Sequence, residues 1–303
     1  MNRRPIVHVF GNIHPSALDL LRRDADLLTD ADPFPSDCEG IVVRMKPITA
    51  EDIAACPNLK VIGKHGTGLD TIDVAAAQAR GIAVESTPGA NAGTVADLAI
   101  GFALALIRNI VPITMALRDG RAVDPNLRVG WDLGEVRAGI VGYGAVGREV
   151  AKRLVGGFGT ATTAYSPRLI GAKPEAGVEF LPSLASLLAD SRIVFLQMPL
   201  IPETRGIIDA EALALMPKGS YLVNCARGGI VDEAALAHAL ETGHLAGAAS
   251  DVFAIEPPLP DNPLLRQPNF LAMPHLGAST NGGLERVGTE IARKVLAAIA
   301  ARG

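Results

Sequence analysis

Short apolar runs rich in β-branched residues alternate with Ala- and Leu-rich stretches of helical spacing along the whole chain. The first such runs, at 6–10, 40–43, 60–63 and 82–85, read as strands. Helical spacing is predicted over 50–55 and 73–80. A longer helix follows over 94–108, with Asn91 or Thr94 as its cap. A second series places strands at 138–142, 162–165, 193–197, 221–224, 248–252 and 270–273. Its helices are expected at 145–154, 184–189, 210–216, 233–241 and 285–300. Strands that alternate with helices imply strand–helix–strand units and parallel sheets. The Gly-, Pro- and Asp-rich stretch 119–134 interrupts the alternation, and the strands are too many for one small sheet. The expected fold is α/β, with two doubly wound parallel-sheet domains.

Composition narrows the class. The chain has 303 residues, enough for about two domains. At 49% hydrophobic and 20% charged it is an ordinary globular sequence, which excludes a disordered one. With 28 Lys+Arg against 32 Asp+Glu and no basic stripe, no nucleic-acid partner is expected. Cys38, Cys56 and Cys225 are far apart and fit neither a disulfide framework nor a metal pattern, so a reducing cytoplasm is expected. His8, His14, His238 and His244 form no metal-ligand spacing, and no metal site is expected. The apolar run 98–107 ends at Arg108, short of the ~20 residues that span a bilayer. The apolar run after the basic start MNRRPIVHVFG is too short for a signal peptide, so no membrane partner is expected.

Candidate chemistry begins at the strand 138–142, which runs into Gly142-Tyr143-Gly144-Ala145-Val146-Gly147 and then a helix. In G-x-G-x-x-G, the first glycine makes a tight turn and the second lets a pyrophosphate approach the backbone. The third lets helix and strand pack closely. The helix N-terminus then offers amides and a positive dipole end to phosphates. A dinucleotide cofactor, NAD or NADP, is expected. An acid that holds the ribose 2′-hydroxyl should stand about 20 residues on. Ser166 stands there instead, with Arg168 beside it, and this pair suits a 2′-phosphate. In the bland alternative, Arg168 faces solvent and either cofactor serves.

Ligands of open α/β sheets bind beyond the carboxyl ends of strands. Arg227, Glu256 and His275 follow three separate strands there. Such a set can oxidise a hydroxy acid reversibly: histidine moves the hydroxyl proton, the carboxylate orients the imidazole, and arginine pairs with a carboxylate or keto oxygen. Taken singly, each has a dull reading as a turn, a solvated loop acid or a structural histidine.

The segment Asn224-Cys225-Ala226-Arg227-Gly228-Gly229-Ile230-Val231-Asp232-Glu233 resembles the arginine signature of the D-2-hydroxyacid dehydrogenases. GAASDVFAIEPP at 247–258 resembles that family's glutamate segment, and Pro274-His275-Leu276-Gly277-Ala278-Ser279-Thr280 its histidine segment. The similarity extends to KVIGKHGTGLDTID at 60–73 and to 87–109. It lies nearest the D-3-phosphoglycerate dehydrogenase branch, with hydroxypyruvate/glyoxylate reductases close by. The resemblance implies a Rossmann-type NAD(P) domain, 89–275, inserted into a flavodoxin-like substrate domain, 1–88 plus 276–303.

Arg227 would bind substrate carboxylate and keto oxygen, with His275 as acid/base and Glu256 its partner. Asp251 would hold the nicotinamide carboxamide. The backbone of Ala145 and Val146 would meet the pyrophosphate, and Cys225, Ala226 and Gly277 would also line the cofactor. Thr67 would approach the cofactor, and the Thr67 and Gly68 amides the substrate carboxylate. Small 2-keto or 2-hydroxy acids would be the substrates, and a homodimer would form through the helix after Asn91.

Several positions depart from that pattern or stay open. Ser166 replaces the family's common aspartate, and Met198 stands where a threonine is usual. Arg44 would face a substrate phosphate but lacks the usual serine beside it; Arg44 and Lys46 either hold a phosphate or cover surface. His65 lines the substrate pocket or simply packs. Trp131 is either a core anchor or reaches a neighbouring subunit's site. The alternative to an enzyme is a non-catalytic, dinucleotide-sensing protein resembling the corepressors on this scaffold.

Overall fold

The computed structural model describes residues 3–32 and 36–302. Met1 and Asn2, the first residues of the N-terminal segment considered above, lie outside the described residues. The chain forms two compact units, one running up to Asn91 and resuming at Ala278, the other Ala92–Gly277.

The first unit opens with β1 (Ile6–Phe10), α1 (Pro15–Asp24), β2 (Asp26–Leu28), β3 (Gly40–Val43), α2 (Ala50–Ala55), β4 (Val61–Lys64), α3 (Val74–Ala79) and β5 (Ala83–Glu85). Its five strands are all parallel, in the order β2-β1-β3-β4-β5. This is the flavodoxin-like order, with its reversal between β1 and β3. β3 and β4 are buried at every position, so β3 reads as a continuous apolar run and β4 as one up to Lys64. The pattern gives no sign of α1 or β2. β2 is a three-residue edge strand, and α1 buries only Ala17 and Leu21.

The second unit begins with α4 (Ala92–Ile107) and α5 (Ile110–Arg118). Because α4 starts at Ala92, Thr94 is a buried residue of its first turn rather than a cap. Pro112 hides α5 from the pattern, yet it lies in the first turn, where proline is tolerated. No single helix among the described residues is long and apolar enough to cross a membrane. There follow β6 (Arg137–Val141), α6 (Ala145–Phe158), β7 (Ala161–Tyr165), β8 (Val178–Phe180), α7 (Leu184–Asp190), β9 (Ile193–Leu196), α8 (Ala210–Leu215), β10 (Ser220–Asn224), α9 (Glu233–Glu241), β11 (Leu245–Ser250) and β12 (Phe270–Ala272). These strands form a seven-stranded parallel sheet, β12-β11-β10-β9-β6-β7-β8. The order reverses between β6 and β9, and the glycine-rich turn leaves β6 at that switch point. Both units are therefore doubly wound. The chain then returns to the first unit as α10 (Asn281–Ala300), which packs on β3 and β4.

Candidate active site

The turn after β6 has the shape its glycines require. Gly142 has φ +94°, and a Cβ there would lie 2.7 Å from the Gln197–Met198 backbone. A Cβ on Gly147 would lie 2.3 Å from the Gly142 carbonyl oxygen, so α6 packs directly on the turn. Gly144 faces open space, and as the N-cap of α6 it brings no side chain to the helix end. The Ala145 and Val146 amides thus open a helix whose first turn is uncapped and approachable. These residues fit a pyrophosphate. Ser166 follows β7 and makes no cap bond to the short 3-10 turn Pro167–Leu169, on which Arg168 is exposed. Met198 is buried beside the glycine turn.

The loops after β10, β11 and β12 are bonded into one assembly. After β10, the Ala226 N–H donates to Asn224 Oδ1 at 3.0 Å, and Asn224 Nδ2 donates to the Arg227 carbonyl at 3.0 Å. Arg227 Nη1 donates to the Ala226 carbonyl at 2.8 Å. Gly228 has no room for a side chain, since a Cβ would fall 1.9 Å from the Phe253 carbonyl group. The arginine loop therefore lies against the backbone that follows β11. Glu233, at the start of α9, accepts from the Ala254 N–H and from Asn262 Nδ2, each at 2.7 Å.

Glu256 bridges the loops after β11 and β12. Its Oε1 accepts from the Phe253 N–H at 3.0 Å, and its Oε2 lies 2.7 Å from His275 Nδ1. An ionised carboxylate can only accept, so Nδ1 carries the hydrogen and Nε2 is left for other chemistry. Burial would raise the Glu256 carboxyl. The His275 hydrogen bond and charge, the Phe253 amide and the Arg227 charge outweigh it, holding the group below its ordinary range.

His275 has a left-handed backbone, φ +57°, unusual for a residue with a side chain. Asp251 fixes it there. The His275 N–H donates to the Asp251 carbonyl at 2.7 Å, and the Leu276 and Gly277 amides donate to the two Asp251 carboxylate oxygens, each at 2.7 Å. Asp251 is 2% exposed, and burial pushes its carboxyl up although these amides pull it down. Sequence reasoning misses this clamp and the Asn224 bracket. The only available signal is an Asn at a strand end followed by a turn, where its side chain caps nearby backbone. Burial, and secondarily the Asp251 charge, push the Cys225 thiol up, so it is no ready nucleophile.

In the first unit, Arg44 follows β3 and its guanidinium donates to the Ser279 hydroxyl and, at 3.4 Å, to the Asn12 carbonyl. Lys64 Nζ donates to the Arg44 carbonyl at 2.6 Å and to Thr71 Oγ1 at 2.8 Å. His65 is buried, its Nε2 has no partner, and burial followed by the Arg44 charge holds it down to about 4. Thr67 is exposed and its hydroxyl donates to the Thr87 carbonyl at 3.3 Å, with Gly68 half-buried next to it. Trp131 of the second unit is 41% exposed, with the Arg192 guanidinium over its ring at 4.6 Å, which rules out the core-anchor reading. Among the described residues no His, Cys, Asp or Glu cluster could hold a metal.

Comparison with known proteins gives a consistent picture. Residues 100–277 match the family model described as D-isomer specific 2-hydroxyacid dehydrogenase, NAD binding domain. Over 259 residues the chain is 42% identical to D-3-phosphoglycerate dehydrogenase of Rattus norvegicus, covering 84% of this chain and 48% of that protein. It therefore spans about half the length of the phosphoglycerate dehydrogenases it matches. Over 302 residues it is 39% identical to hydroxypyruvate reductase of Thermotoga maritima, covering 95% of this chain and 96% of that protein. The structure also resembles that of an NADPH-dependent glyoxylate/hydroxypyruvate reductase from Sinorhizobium meliloti in complex with NADP and malonate. The TM-score is 0.83 at 28% identity, over 97% of this chain and 93% of that one.

Proposed function

This chain belongs to the D-isomer specific 2-hydroxyacid dehydrogenase family, and we propose that it interconverts a small D-2-hydroxy acid and its 2-keto acid with a nicotinamide dinucleotide. The observation that carries this reading is the His275–Glu256 contact, built into one bonded assembly with the Arg227 loop. When bound, the dinucleotide supplies or accepts the hydride at C2. The protein binds, orients and moves the proton. Arg227 holds the substrate carboxylate and polarises the keto oxygen through a charge-assisted pair. His275 Nε2 gives a proton to that oxygen during reduction and takes it back during oxidation. Glu256 keeps the imidazole oriented by Nδ1.

The units take different tasks in this account: Ala92–Gly277, close to the expected 89–275, holds the dinucleotide, and the other binds substrate. Arg44, His65 and the Thr67 and Gly68 amides are assigned to the substrate; Thr67, Asp251 and Gly277 to the cofactor. The phosphorylated cofactor is preferred, a choice supported by Ser166 and exposed Arg168 in place of an acid and by the NADPH-dependent relative. A homodimer is supported by the exposed Ile110, Val111, Met115 and Leu117 on and beside one short helix. Three free, buried cysteines agree with a reducing, cytoplasmic setting.

A reductive screen tests the reading: NADH and NADPH are each offered with glyoxylate, hydroxypyruvate, pyruvate, phenylpyruvate and 3-phosphohydroxypyruvate. Turnover of at least one, faster with NADPH, is expected. Dinucleotide binding with no turnover of any would favour the sensing protein instead.

A further inference from the structure

We propose that Asn224 is a positioning residue that sets the direction of the Arg227 guanidinium, a role that rests on the reading of Arg227 given above. Arg227 Nη1 donates to the Ala226 carbonyl at 2.8 Å, so the Ala226–Arg227 peptide holds one end of the guanidinium. Asn224 fixes the backbone on both sides. Its Oδ1 accepts from the Ala226 N–H and its Nδ2 donates to the Arg227 carbonyl, each at 3.0 Å. The two partners settle which amide atom is which, because only oxygen accepts from an N–H and only nitrogen donates to a carbonyl. An ionised aspartate of the same shape keeps the first bond and sets an anionic oxygen against the Arg227 carbonyl.

Asn224 is 4% exposed, so little water competes for either bond. Gly228, the residue after Arg227, lies hard against the Phe253 backbone, which leaves the loop little alternative path. The main chain of Asn224 extends the same control. Its carbonyl accepts from the Asp251 N–H at 3.0 Å, and the Asp251 carbonyl accepts from the His275 N–H at 2.7 Å. The residue that aims the arginine thus also heads the run of bonds that ends at the acid/base.

The test compares Asn224→Asp and Asn224→Ser with wild type and places each in a double-mutant cycle with Arg227→Lys. Both Asn224 variants should lower kcat/KM for the best keto acid of the screen by about 10- to 100-fold, with a raised KM. The dinucleotide Kd, read by cofactor fluorescence, should rise by no more than about threefold, because Asn224 bears on the loop beside the nicotinamide and not on the glycine turn that anchors the pyrophosphate. In the Arg227→Lys background the loss should shrink to about threefold or less, since no fork-shaped group remains to aim. Hydrogen exchange of 225–229 should quicken in both variants while that of 138–147 stays unchanged. Unchanged exchange over 225–229, or a loss equally large with Lys at 227, overturns the proposal. If Asn224→Asp does not fold, Asn224→Ser carries the same comparison. If wild type reduces no keto acid, the functional reading fails on that measurement, and exchange over 225–229 still decides the bracket.

Discussion

His275 Nδ1 lies 2.7 Å from Glu256 Oε2, and the histidine that makes this contact has a left-handed backbone held by Asp251. The contact fixes one tautomer and leaves Nε2 for the proton transfer proposed above. The Asp251 amide clamp secures the turn, so ring orientation is set from the side chain and the main chain together.

The first prediction concerns charge in this pair. Glu256 is held below its ordinary range, which keeps a carboxylate charge against His275 Nδ1. Glu256→Gln keeps the shape and removes the charge. The pH–rate profiles for oxidation and reduction should both move to lower pH, and turnover should fall by about 10-fold or more. Profiles that coincide with wild type mean that Glu256 does not tune His275.

The glycine turn gives a paired prediction. Gly144→Val meets open space in the protein but fills the approach to the α6 amides. It should leave Tm nearly unchanged and raise the dinucleotide Kd by about 10-fold or more. Gly147→Ala drives a Cβ to 2.3 Å from the Gly142 carbonyl oxygen. It should lower both Tm and affinity, with a stability cost of about 1–3 kcal/mol from overpacking. Thermal melts with dinucleotide titrations distinguish the two.

Cofactor choice turns on one side chain. Ser166→Asp puts a carboxylate at the end of β7, where it accepts from a ribose hydroxyl and repels a 2′-phosphate. The ratio of kcat/KM for NADPH over NADH should fall by about 10-fold or more. A wild-type preference for NADH, or an unmoved ratio, contradicts the assignment of Ser166.

The arrangement of strands is legible in the sequence wherever a strand is buried on both faces. β3 and β9 are buried throughout and appear as unbroken apolar runs. β2 and β8 are three-residue edge strands with too few apolar positions to stand out. At the site, spacing places Arg227, Glu256 and His275 at strand ends, and their chemistry suggests pairing the last two, but the dull reading of each stays open until the family resemblance is added. The Asp251 clamp spans 25 and 26 residues and ends on main-chain amides, which no side-chain pattern records.

Acid stability offers a prediction away from the chemistry. His65 is buried, with an unpartnered Nε2, and titrates at about 4 rather than 6.5. Between those pH values the unfolded chain binds the extra proton, so stability falls as pH drops through that window and this loss ends below about 4. At 1.36 kcal/mol per unit the full loss is about 3 kcal/mol. His65→Gln should therefore lose less stability than wild type between pH 7 and 4.5, by about 2 kcal/mol in urea unfolding. Equal losses in the two proteins contradict a neutral, buried His65.

The central claim is that His275 and Arg227 perform proton transfer and substrate orientation on a protein whose glycine turn anchors the pyrophosphate of its dinucleotide. Steady-state turnover and dinucleotide Kd of His275→Ala and Arg227→Ala, measured side by side with wild type, test it most directly. The account predicts that kcat/KM falls by about 1,000-fold or more in each while Kd changes by no more than about twofold. Wild-type turnover in both variants would contradict it.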